Sequence, residues 1–100
     1  MIVTFRQTGG IRGVRRGCLL DTSAMGEEMA HKLIQLVNDS GILAQKSIEQ
    51  LGSAHDVFEY LIRVRDGEMA GSAHFDDTTL AKPYRQLVQW LLERSSPVEP

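Results

Sequence analysis

The chain has 100 residues, 42% apolar and 24% charged, with a formal net charge of −2. That is the size and composition of one ordinary globular domain, and the slight acidity argues against a general nucleic-acid binder, which needs Lys and Arg to neutralise phosphates. The single cysteine, Cys18, excludes an internal disulfide and a cysteine-built zinc cage.

Ile2 to Gln7 reads as a strand, with Val3 and Phe5 on one face and Thr4 and Arg6 on the other. The opening residues lack a basic stretch followed by a long apolar run, so no signal peptide is read. No apolar run is long enough to span a bilayer, so the cytoplasm is the expected location and no membrane partner is expected. Thr8-Gly9-Gly10-Ile11-Arg12-Gly13 follows. A glycine loop can cradle phosphate, but only between a strand and a helix. Here the next segment, Val14 to Asp21, is strand-like, so the glycines read as a hairpin tip. Cys18 shares a parity with Val14 and Leu20 and reads as a small buried residue.

Asp21-Thr22-Ser23 supplies capping side chains, and Glu27 and Glu28 suit a first helical turn. Met29, Ala30, Leu33, Ile34, Leu36 and Val37 recur at helical spacing, which predicts a helix over 26–38 with Gly41 as its left-handed stop. Ile42 to Asp56 has no clear period, and Ile48 and Leu51 stand isolated among polar residues. A connection of this length is either functional or mobile, or it holds one short helical turn.

Phe58, Tyr60, Ile62 and Val64 alternate with Glu59, Arg63 and Arg65 on the opposite parity, which defines a half-buried strand. Asp66-Gly67 then turns the chain into a second strand with Met69, Gly71, Ala73 and Phe75 inward. Asp76-Asp77-Thr78-Thr79 offers caps, Pro83 suits a first helical turn, and Tyr84, Leu87, Val88, Leu91 and Leu92 carry the helix to about Arg94. The resulting order, β-β-α-β-β-α, predicts an α+β fold: a four-stranded antiparallel sheet with two helices on one face. Residues 1–94 form the expected single domain, and 95–100 a disordered tail.

No constellation spells out catalysis. His31, His55 and His74 fall on different elements, without the spacing of a zinc pair, so neither metal nor cofactor is expected. No serine lies in a nucleophile motif. Asp76 and Asp77 read as caps rather than a carboxylate dyad. Arg6, Arg15, Arg63 and Arg65 with Glu59 give the outward sheet face a solvated, charged character, and the exposed aromatics of a nucleic-acid-binding sheet are not available there. The residues therefore point to a non-enzymatic binding module with no nucleic-acid partner.

Several segments together are similar to the emfourin family. These are the opening strand with Thr8-Gly9-Gly10-Ile11-Arg12-Gly13 and Val14-Arg15-Arg16; Leu20-Asp21-Thr22 before an acidic helix start; and Leu33 with Leu36-Val37. The pattern Asp56-x-Phe58-x-Tyr60-x-Ile62-x-Val64-x-Asp66-Gly67 resembles that family's third strand and turn, and Asp77, Leu87 and Trp90-Leu91 its last helix. The likeness spans nearly the whole chain. It departs at Gly26, where a proline commonly opens the first helix, and at 45–53, which has no clear counterpart.

Emfourins are small bacterial inhibitors of protealysin, a thermolysin-like zinc metallopeptidase. The resemblance implies a protein that occupies the active-site cleft of such a peptidase. Those enzymes favour a large apolar residue just after the scissile bond. Two segments could offer one: the hairpin tip Gly9, Gly10, Ile11 and Arg12, and the long connection through Ile42, Leu43, Ile48 or Leu51. The long connection is preferred, because its length is otherwise unexplained. The alternative is a regulatory interaction domain that binds another protein, or a second copy of itself as a homo-oligomer, through its sheet.

Overall fold

A computed structural model of the chain describes residues 1–10, 13–53 and 56–98, without the side chain of Val14. The elements run β1 (Ile2–Gly9), β2 (Val14–Asp21), α1 (Glu27–Ser40), α2 (Ile42–Gln45), β3 (Ser47–Gln50), β4 (Phe58–Asp66), β5 (Met69–Asp76), α3 (Lys82–Glu93) and β6 (Ser96–Pro97), with one 3-10 turn at Thr22–Ala24. Among the described residues, six strands form one sheet in the order β3-β5-β4-β1-β2-β6. The central pairs are antiparallel, while β3 joins β5 in parallel.

Alternation decides the two faces. Val3, Phe5, Tyr60, Ile62, Val64, Ala73 and Phe75 are buried on one face, against Leu33, Leu36 and Val37 of α1 and Tyr84, Leu87, Val88 and Leu91 of α3. Phe75 of β5 and Tyr84 of α3 meet at a ring-centroid distance of 4.8 Å. Thr4, Arg6, Arg63, Arg65, Ser72 and His74 lie at the other parity, and no helix among the described residues covers them. The α+β class and the helices on one face match expectation. Glu27 and Glu28 occupy the first turn of α1, and Gly41, at φ 78°, ends it.

The four-stranded, two-helix description needs correction. The stretch 42–56 holds one short helical turn, α2, as one of its two readings expects, and also β3, which neither reading contains. β3 is four residues long with only Ile48 packed on the core, so it shows no alternation to detect. β6 is two residues long and pairs with β2 through Arg16↔Pro97 and Gly17↔Ser96, in a stretch that reads as a frayed tail. Pro97, which has no N–H, is tolerated there because the strand sits at a sheet edge. Met69 is also not inward: it is 55% exposed, at the first position of β5.

α2 explains why position 71 is glycine. A Cβ there would run into the carbonyl oxygen of Ile42. Its absence lets α2 lie against β5 and bury Ile42 completely. The Lys46 carbonyl then accepts from the Ser72 N–H at 2.8 Å, which starts the β3–β5 ladder.

Candidate functional site

The preferred segment and the glycine hairpin meet at one end of the sheet. The organiser is Asp76, the last residue of β5, which is 2% exposed although acidic. A buried carboxylate is tolerable only when its lone pairs are filled. Asp76 Oδ1 accepts from the Thr78 N–H at 2.7 Å, the Thr78 hydroxyl at 2.5 Å and the Thr79 N–H at 3.1 Å. Its Oδ2 accepts from the Gly52 N–H at 2.7 Å. These donors, led by the Thr78 hydroxyl, outweigh burial and hold the carboxyl down at about 2. Thr79 adds a second tie, its hydroxyl donating to the Gln50 carbonyl while accepting from the Asp76 N–H.

Asp77 clamps the neighbouring strand. Its Oδ2 accepts from the Phe58 N–H at 3.0 Å and its Oδ1 from the Tyr60 hydroxyl at 2.5 Å. Burial, reinforced by the Asp77 carboxylate, pushes the Tyr60 phenol up to about 12. The two aspartates, with Thr79, therefore tie residues 50, 52, 58 and 60 together. They do not cap α3, whose N-cap is Ala81 with no side-chain cap bond.

The result is a shallow depression of about 350 Å³ lined by Gly9, Gly10, Leu51, Gly52, Asp56, Val57, Glu59 and Asp76. Gly9 sits at φ 104°, and a Cβ there would lie 2.6 Å from the Val57 carbonyl oxygen, so only glycine lets the hairpin pass this close. The Gly10 N–H donates to that same carbonyl at 3.3 Å. Leu51 is 43% exposed at the rim.

Of the candidate contact residues, Gly9, Gly10 and Leu51 are thus brought together. Ile11 and Arg12 lie outside the described residues. Ile42 is wholly buried beneath α2 and presents nothing to a partner, which corrects its reading as an exposed contact. Leu43 and Ile48 are partly buried and packed against the core. Asp76, Asp77, Thr78 and Thr79 were missed as organisers of the site. Their signal was an acidic pair followed by two threonines straight after a strand.

Cys18 and His74 are engaged within the fold. Burial raises the Cys18 thiol, whose Sγ approaches the Leu91 carbonyl oxygen at 3.8 Å. His74 Nε2 lies 3.0 Å from Glu59 Oε1, and its Nδ1 lies 3.9 Å from Glu49 Oε1. No group of three potential metal ligands occurs among the described residues, and no helix is long and apolar enough to cross a membrane.

The fold is a small two-layer α+β domain with its most constrained loops gathered at one sheet end. The emfourin family model matches residues 5–92, and the chain belongs to the emfourin family. Comparison with curated proteins and with solved structures returns no match.

Proposed function

We propose that this emfourin is a protein inhibitor of a thermolysin-like zinc metallopeptidase and that it blocks the enzyme by occupying the active-site cleft. Membership of the family supports the inhibitor role. The observation that carries the choice of surface is the pinning of an exposed leucine. Leu51 is flanked by Gln50, whose carbonyl accepts from Thr79, and by Gly52, whose N–H is held by Asp76 at 2.7 Å. An inhibitor that offers an apolar side chain from an already ordered backbone loses little conformational entropy on binding. A short, doubly tethered segment also resists the bending that cleavage requires, which favours occupancy over turnover. Gly9 and Gly10, close beside it, let the hairpin pack tightly on Val57 and Phe58 and so border the same depression.

The test is cleavage of a fluorogenic peptide by a thermolysin-like peptidase encoded beside this protein, with increasing amounts of the protein. Inhibition that is near-stoichiometric, competitive with the peptide and leaves the protein uncut is the expected result. Full peptidase activity at large excess of folded protein would overturn the proposal for that enzyme.

A further inference from the structure

The helix-free face of the sheet carries a second depression, about 470 Å³ in volume, at the end away from the Gly9 hairpin. In the β1–β4 register Gly9 faces Phe58 and Ile2 faces Arg65, so the two ends are about 23 Å apart at roughly 3.3 Å per residue. Three cations, Lys46, Arg63 and Arg65, surround this depression, with Ile2 and Ala70 as its apolar floor. None of the three cations forms an ion pair with a described residue. Of the strand carboxylates of the same face, Glu49 and Glu59 lie beside His74 and Asp76 is held by Gly52 and Thr78, all towards the other end, while Asp21 lies across from Ile2 and accepts from Ser23. The lining of the depression thus holds three cations and no carboxylate, while Asp21, Asp66 and Glu68 lie outside it at the same end of the sheet, Asp66 at 3.9 Å from the Met1 ammonium.

We propose that this depression docks an acidic segment of a partner protein, with carboxylates on Lys46, Arg63 and Arg65 and an apolar side chain over Ile2. Charge complementarity gives the sign of the partner. The apolar neighbours give its class. Ile2 is 40% exposed, and Leu19, which lies across Thr4 from Arg63 in register, is 68% exposed. Arginines beside exposed aliphatic residues suit a polypeptide surface. They do not suit a free phosphate, which would use the cations alone, or a nucleic acid, which would use stacking aromatics that this face lacks. Lys46 holds φ 65° and ψ −53°, a backbone region that glycine occupies far more readily. This turn at the end of α2 sets the Lys46 side chain on the lining of the depression.

The probe is an acetylated, fluorescein-labelled peptide of eight glutamates with two leucines at its centre, titrated with the full chain at low and moderate salt. No peptidase is present, so the outcome is independent of the inhibitory reading. Saturable binding that weakens with salt is expected, with amide shifts at Ile2, Leu19, Lys46, Arg63 and Arg65. Arg63→Glu with Arg65→Glu should weaken it about tenfold or more. If that double variant does not fold, Lys46→Gln with Arg65→Gln should still weaken it measurably. Absent binding, shifts confined to the Gly9 end, or unchanged affinity in the folded variants would overturn the proposal. So would a single-stranded DNA of equal charge that binds the same residues more tightly.

Discussion

Ile42→Ala separates a core role from a contact role at a residue that sequence pattern places on an exposed segment. Ile42 is 0% exposed and belongs to the same cluster as Val37 and Phe75. Truncation to alanine removes three carbons, and at about 0.8 kcal/mol each the transfer loss alone is about 2.4 kcal/mol. The space left behind can collapse only in part, because the Ile42 carbonyl is seated over Gly71 and the Lys46 carbonyl is bonded to Ser72. A total of about 3 kcal/mol is therefore expected, inside the range of about 2–5 kcal/mol for such truncations. In a domain of this size that lowers the melting temperature by about 12–24 °C. The assay is urea and thermal unfolding followed by circular dichroism, beside peptidase inhibition at a temperature where the variant is still folded. Inhibition by the folded variant should match the parent. A stability change below about 1 kcal/mol, or lost inhibition by a fully folded variant, would refute the placement of Ile42.

The Asp76 carboxyl is held near 2 in the folded chain, against an ordinary value of 3.8. Its contribution to stability is therefore complete above about pH 4 and disappears as pH falls from there towards 2, so Asp76→Asn should flatten the acid limb of the stability–pH curve. Tyr60 titrates in the opposite sense. Its folded value is raised from 10 to about 12, so its contribution is complete below pH 10 and is lost as pH rises towards 12. Tyr84 is also raised by burial, so tyrosinate absorbance should appear together with unfolding rather than before it. Tyr60→Phe removes the bond to Asp77, an exposed carboxylate, and should cost about 1–1.5 kcal/mol in urea unfolding. Gly71→Ala should destabilise by about 1–3 kcal/mol through the clash with Ile42, and a neutral result would show that α2 can move off β5.

What could be read from the sequence follows from how each signal arises. β4 was legible because Phe58, Tyr60, Ile62 and Val64 alternate over a long strand that is buried on one face. α1 and α3 were legible because their apolar residues repeat at helical spacing beside acidic first turns, glycine stops or an early proline. β3 and β6 were not, because strands of four and two residues are made by their neighbours rather than by their own pattern. β3 depends on α2 lying over Gly71, a contact between residues far apart in the chain. The site was half legible. Glycine-rich composition marked Gly9 and Gly10, and isolation marked Leu51, but no local rule separates an exposed leucine from a buried isoleucine nine residues earlier. The Asp76–Gly52 bond, which spans 24 residues, is invisible to any local pattern.

The central claim is that Leu51, held by the Asp76 network, enters the peptidase cleft. The most direct test is the inhibition constant of Leu51→Ala against the same peptidase, measured beside its unfolding curve. Leu51 is 43% exposed, so stability should change by no more than about 0.5 kcal/mol. The expected result is inhibition weakened about tenfold or more with stability preserved, as for a central apolar anchor. Undiminished inhibition by the folded variant would contradict the claim and place the inhibitory contact elsewhere on the protein.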